Sequence, residues 1–160
     1  VRGEGPRYTD PAEAERFWRE TGVDALAVAV GTSHGAYKFK GEPKLDFERL
    51  AEIHRRVGAH LVLHGASSVP QELVAEANAL GAKLEGARGV PEEVLLKAVS
   101  LGIRKVNTDT DLRIAFLVGV RRHLSQNPSQ IDPRKYLGEG AGEVFKIVRR
   151  RIRLLWKKGL

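Results

Sequence analysis

The chain has 160 residues, 42% of them apolar and 29% charged, enough for one domain with a buried core and too balanced for a disordered tract. It contains no cysteine, which excludes disulfides, thiolate metal sites and cysteine nucleophiles. No apolar run approaches the roughly 20 residues of a membrane span, and no charged-then-apolar signal segment is read at the start. The lack of cysteine is compatible with the cytoplasm, the expected compartment. The formal net charge of +7 invites an anionic partner such as nucleic acid. That charge is uneven. Residues 143–160 hold seven of the 27 basic residues and only Glu143 among the acids, leaving 20 cations against 19 acids in residues 1–142. No methionine occurs, position 1 included, as in a chain whose start was processed or that begins inside a longer protein.

Asp10 is placed to cap a first helix, with Pro11 in its first turn and Glu13 in the position of a capping box. Ala14, Phe17, Trp18 and Thr21 form the predicted inner face, and Gly22 ends the helix. Residues 25–31 are too short and too continuously apolar for a surface helix; they read as a strand buried on both faces, as a parallel sheet requires. Asp46 caps a helix with Phe47, Leu50, Ile53 and Val57 inward and Gly58 at its end, feeding a strand over 61–63. Helices are predicted over 70–80, closed by Gly81, and over 91–101, closed by Gly102 and feeding a strand over 103–107. A long helix starts at Asp109 or Thr110 and runs to about Ser125. Residues 127–142, with two prolines and three glycines, read as a loop or short helical link, and 143–156 as a final helix. This alternation is the grammar of a mostly parallel α/β architecture.

Composition changes sharply where each strand stops. The first runs into Thr32-Ser33-His34-Gly35-Ala36-Tyr37-Lys38, the second into His64-Gly65-Ala66-Ser67-Ser68, the third into Asn107-Thr108-Asp109-Thr110-Asp111. Polar groups gathered at the carboxyl ends of parallel strands mark the functional rim of barrels and open sheets. His34 and His64, each before a glycine on neighbouring strands, are placed to share one divalent metal, and neutral imidazoles suit zinc. A catalytic zinc needs about three protein ligands, so two histidines make half a site. His54, His60 and His123 fall on helices or a strand start and read as structural or solvent-facing. Small residues before Pro70 are expected to leave backbone N–H groups open at a helix N-terminus, an anion site by geometry and dipole. Gly35 and Lys38 supply a second donor set, which together suggests a phosphorylated substrate. Asn107, Asp109 and Thr110 offer an amide, an acceptor and a hydroxyl suited to a polyol, while Asp109 and Asp111 point to different sides.

Taken together, the three tips, in this order and spacing, resemble class II, metal-dependent fructose-1,6-bisphosphate aldolases, and Pro133-Arg134-Lys135-Tyr136-Leu137 resembles that family's C-terminal region. The resemblance implies that the chain holds the last three βα units of a TIM barrel plus C-terminal helices, an α/β fold incomplete as a barrel on its own. Residues 1–142 then form a partial barrel domain, and 143–160 a basic C-terminal helix of the same domain. By position, His34 and His64 match two of three zinc-ligating histidines. Gly35, Lys38, Gly65 and Ser67 match the site for the phosphate of dihydroxyacetone phosphate, with a monovalent cation near the backbone of Gly35 and Gly65. Asn107, Asp109 and Thr110 match substrate contacts, and Arg113 an arginine that reaches across a dimer interface to the other phosphate.

The implied activity is reversible cleavage of fructose 1,6-bisphosphate to dihydroxyacetone phosphate and glyceraldehyde 3-phosphate through a zinc-stabilised enediolate, as in glycolysis and gluconeogenesis. The Asn-Thr-Asp-Thr-Asp tip favours the fructose over the tagatose branch. The family's third zinc ligand and its acid/base aspartate have no counterpart here and are expected in an N-terminal part preceding residue 1, with about five of the eight barrel strands. The expected state is therefore a fragment, inactive without that half, joining a homo-oligomer (dimer or tetramer) when the full enzyme assembles. Two other readings compete with it. One is a non-catalytic phosphate-binding module. The other uses the last helix on nucleic acid or anionic membrane, because Arg149, Arg153 and Lys157 align on one face and Val148, Ile152, Leu155 and Trp156 on another. A solvated basic face with its apolar side docked inward is favoured over that last reading.

Overall fold

Local signals set the elements. The Asp10 carboxylate accepts the N–H groups of Ala12 and Glu13, both at 2.9 Å, and the N–H of Gly22 closes the first helix on the Trp18 carbonyl at 2.8 Å. In this computed structural model the described residues are 8–32 and 44–156. Among them the order is α1 (Pro11–Thr21), β1 (Ala25–Ala27), α2 (Phe47–Arg56), β2 (His60–Leu63), α3 (Gln71–Ala79), α4 (Glu92–Ser100), β3 (Ile103–Val106), α5 (Thr110–Gln126) and α6 (Pro133–Trp156). The chain divides into two compact units. Of the described residues, the first holds 8–32, 44–66 and 90–107, and the second holds 67–89 and 108–156.

The first unit is a three-stranded parallel sheet in the order β1-β2-β3, with α1, α2 and α4. The central strand buries Leu61, Val62 and Leu63 in succession, the continuous apolar pattern of a strand covered on both faces. Leu50 and Ile53 from α2 and Leu95 and Ala98 from α4 complete this core with Val28 and Val30. The register slips between Leu61 and Val62: Leu61 pairs with Ile103 but Val62 with Lys105, so Arg104 is an extra residue in β3. The first strand departs from expectation. Its ladder covers three residues rather than 25–31, and its ends are exposed. The reason is its place at the edge, pairing with β2 alone among the described residues; beyond Ala27 one bond, Val28 N–H to the Val62 carbonyl at 3.2 Å, continues the pairing. On α1, Ala14 is buried and Trp18 packs against the core, while Phe17 and Thr21, expected inside, are exposed.

The second unit packs α3, α5 and α6 around Val69, Leu73, Val74, Ala77, Ile114, Ala115 and Val118. Here the final helix begins at Pro133, not at 143, and runs unbroken through the boundary expected at 142–143. Of the glycines that suggested a loop, Gly140 serves helix contact instead. A Cβ on Gly119 would stand 2.6 Å from the Glu139 carbonyl oxygen, and one on Gly140 would stand 2.7 Å from the Phe116 ring. Backbones approach this closely only where side chains are absent, so these residues join α5 to α6. Arg122 on α5 fastens the pair through Glu143 at 2.7 Å and also bonds Glu76 of α3.

Candidate functional site

In the first unit the polar tips follow β2 and β3. Gly65 takes φ 62°, a left-handed conformation that lets the chain turn directly after His64 and leaves that imidazole exposed at the strand's carboxyl end. The N–H of Asn107 donates to the Leu63 carbonyl at 2.9 Å, extending the β2–β3 ladder by one bond and bringing Asn107 alongside His64. The Asn107 Nδ2 atom lies 3.1 Å from Nδ1 and 3.0 Å from Nε2 of that ring. An atom equally near both nitrogens lies off both in-plane lone-pair directions, so the contact orients the ring without choosing its tautomer. Lys105 Nζ donates to Asn107 Oδ1 at 2.7 Å and thereby turns the amide NH2 toward the imidazole. Sequence reading missed Lys105; its i, i+2 spacing to Asn107 on a strand was the available signal.

The second unit carries the continuation of the same motifs. Ser67 is buried, and its Oγ accepts the N–H groups of Asp109 and Thr110, each at 3.1 Å. The amino end of α5 is thus capped by Ser67; Asp109, at the cap position, makes no side-chain cap bond. Asp109 instead pairs with Arg113 at 3.0 Å, both largely exposed. Asp111 turns the opposite way, as expected, and is 1% exposed. Its Oδ1 accepts from Val69 N–H at 2.7 Å, and its Oδ2 from Ser68 N–H at 3.1 Å and Arg151 Nη2 at 2.8 Å. The same Nη2 donates to Ser68 Oγ at 2.6 Å. Val69 sits at φ 49°, unusual for a β-branched residue and more so before a proline. Such strain costs on the order of 1–3 kcal/mol and persists where surrounding bonds over-determine it.

Two expectations change. The Ser68 and Val69 amides do not stand open to a ligand, because a carboxylate of the same chain already takes them. The last helix does not present its apolar side inward either: Phe145, Ile152 and Trp156 are 63%, 59% and 69% exposed, while Arg151 is 8% exposed. Pairing with buried Asp111 is what draws this cation inside. Lys146 pairs with Glu143 and Arg150 with Glu72, and Arg149 lies over the Phe145 ring, 5.8 Å from its centre. Four cations of the tail are thus committed within the unit, which weakens a nucleic-acid or membrane role.

His34, Gly35 and Lys38 lie outside the described residues. His64 fits a metal as a single exposed imidazole, but the described residues contain no group of three His, Asp or Glu side chains that could hold an ion. They do not by themselves make a metal centre. His54 and His60 are exposed and line, with Trp18, Arg55 and Arg104, a groove of about 530 Å³ near the amino ends of β2 and β3, away from the polar tips.

Parallel strands joined through helices, with polar residues at their carboxyl ends, define an α/β protein of the barrel-derived kind, open here because three strands cannot close. The description of class-II fructose-bisphosphate aldolase matches residues 1–84 and 83–160, and the chain belongs to that family. It is 54% identical over 151 residues to a fructose-bisphosphate aldolase of Thermus caldophilus, covering 94% of this chain and 50% of that protein. It is 51% identical over 146 residues to the one of Helicobacter pylori strain J99, covering 91% and 48%. Among solved structures, the YdjI aldolase of Escherichia coli K12 superposes with a TM-score of 0.71 at 31% identity, over 96% of this chain and 47% of that one. The chain spans about half the length of the relatives it matches.

Proposed function

We propose that this chain supplies the substrate-phosphate half of a class II aldolase that cleaves fructose 1,6-bisphosphate reversibly into dihydroxyacetone phosphate and glyceraldehyde 3-phosphate. The observation that carries the reading is the family match along the whole chain, with the three polar motifs in order in the sequence and the second and third of them following the carboxyl ends of β2 and β3. His34 and His64 would hold a zinc ion with a third ligand from outside this chain. Bound zinc supplies Lewis-acid polarisation of a carbonyl oxygen. The chain's own groups do the rest of what is assigned here. The N–H groups around Gly35 and Gly65 and the side chains of Lys38 and Ser67 receive a phosphate, aided by a monovalent cation at the same backbone. The Asn107 amide, already turned by Lys105, donates to an oxygen on which negative charge develops, and Asp109 and Thr110 orient the hydroxyls of the substrate. Arg113 reaches the second phosphate of a neighbouring subunit in an oligomer.

The acid/base aspartate belongs to the part of the relatives that this chain does not span, so the chain alone is inactive and its working compartment is the cytoplasm of a cell with that part. Joining or co-expressing the chain with the complementary half of the Thermus caldophilus relative tests this. Cleavage of fructose 1,6-bisphosphate should appear only in the combination, and His34→Ala or His64→Ala should remove its zinc. Full activity with stoichiometric zinc in the 160-residue chain alone would overturn the proposal.

A further inference from the structure

The basic tail hides one residue that behaves unlike its neighbours. Arg151 lies on α6, far along the chain from the strand-tip motifs, yet its side chain is 10% exposed where those of Lys146 and Arg150 on the same helix are 64% and 48% exposed. Its Nη2 bonds Ser68 Oγ and Asp111 Oδ2, while Nη1 is buried without a partner among the described residues. Asp111 in turn holds the N–H groups of Ser68 and Val69, and Ser67 holds those of Asp109 and Thr110. These bonds form one continuous lattice: Arg151 to Asp111 and Ser68, the 67–69 turn, then the first turn of α5. Every member but Arg151 lies within two residues of a group assigned above to substrate. A mere cap for α5 would need only Ser67, and a mere counter-ion for Asp111 would not also reach Ser68.

We infer that Arg151 is a positioning residue for the phosphate-binding turn: it acts through Asp111 and Ser68 to hold the left-handed Val69 and to keep Ser67, Asp109 and Thr110 in one frame. The inference rests on the substrate role proposed for those three residues. Its consequence is that a helix outside the motifs sets affinity for the phosphorylated substrate without touching it. A lysine ammonium can donate to both acceptors but lacks the rigid planar fork that fixes their directions, so charge alone restores only part of the frame.

The test uses the complemented enzyme for kinetics and the 160-residue chain for hydrogen exchange. Arg151→Met should raise KM for fructose 1,6-bisphosphate about tenfold with kcat within about threefold, because the turn is loosened rather than the reacting centre changed. Arg151→Lys should lie between Met and the natural residue. Amide exchange at Ser68 and Val69 should accelerate about tenfold in Arg151→Met while Val62 and Leu63 keep their protection. Should Arg151→Met not fold, Ser68→Ala removes one bond of the lattice and should still raise KM by about twofold to threefold. Unchanged KM with unchanged exchange at the turn, or a fall in kcat alone, would overturn the inference. Ser67→Ala separates the two levels: if it raises KM and the Arg151 variants do not, the positioning role fails; if it leaves KM unchanged, the substrate role of the turn fails.

Discussion

The boundary between the two units falls inside both polar motifs, between Ala66 and Ser67 and between Asn107 and Thr108, and residue types on its two sides are alike. Their surroundings are not. In the first unit His64 and Lys105 are exposed, Asn107 is half-buried between them, and their contacts compete with water. In the second, Asp111 and Arg151 are buried, and every bond they make replaces one that water could not restore. Exposed polar groups exchange partners with solvent; the buried Asp111–Arg151 pair fixes where others stand. For these two pairs burial divides the roles: His64 with Asn107 reads as contact, Asp111 with Arg151 as frame.

That contrast breaks most visibly at its extremes. Asp111→Ala would leave the Arg151 guanidinium buried and uncompensated, for an expected loss of about 3–5 kcal/mol, whereas Asn107→Ala should cost less than about 0.5 kcal/mol because its partners are wet. Chemical denaturation of both variants measures the difference. Equal costs would mean that the two motifs are held alike and that burial does not divide their roles.

A second division runs within α5 and α6. A methyl on Gly119 meets the Glu139 backbone, which has little room to give, while one on Gly140 meets the Phe116 ring, which can rotate aside. Against the helix-propensity gain of about 1 kcal/mol from either alanine, overpacking of about 1–3 kcal/mol should win at Gly119 and roughly cancel at Gly140. Thermal melts should therefore fall for Gly119→Ala and stay near the natural value for Gly140→Ala. The reverse order would place the close approach elsewhere on the helices.

How much of this was legible in the sequence follows the range of the interactions. Asp10, Asp46 and the glycines after helices announce themselves through neighbours a few residues away, and the helices they bound were readable. The apolar run Leu61-Val62-Leu63 identified a covered parallel strand for the same reason. The run at 25–31 looked alike but ends up at a sheet edge, and edge position depends on which strands lie beside it, which composition does not encode. Gly138, Gly140 and Gly142 were read as loop because local propensity favours that; Gly140 instead meets Phe116 and Gly119 of α5, about twenty residues away in sequence. His64, Ser67, Asn107, Asp109, Thr110 and Arg113 were visible as motif members, and their positions follow strand ends. Arg151 was not, since its partner Asp111 is forty residues distant and its neighbours are all basic.

The smallest expected effect concerns acid. Burial alone would raise the Glu143 carboxyl, but hydrogen bonds from Lys146 and Arg122 outweigh it and hold the group below its ordinary range. Arg122 is pushed up in return, by Glu143 first and Glu76 second. A carboxyl whose folded value lies below the unfolded one, about 4.3, stabilises fully above that pH and loses its contribution as pH falls through the folded value. Arg122→Met should thus cost about 1 kcal/mol at neutral pH, given its partial exposure. The gap to the natural protein should narrow below about pH 4, as Glu143 takes up a proton and its pairing with Arg122 is lost. In the first unit Asp46 is held low chiefly by the Arg49 backbone N–H, so its acid response should be the same in both proteins. Melting curves across pH decide it: a gap that persists unchanged to pH 3 would mean that Arg122 stabilises α5 against α6 by packing its stem and not by pairing its charge.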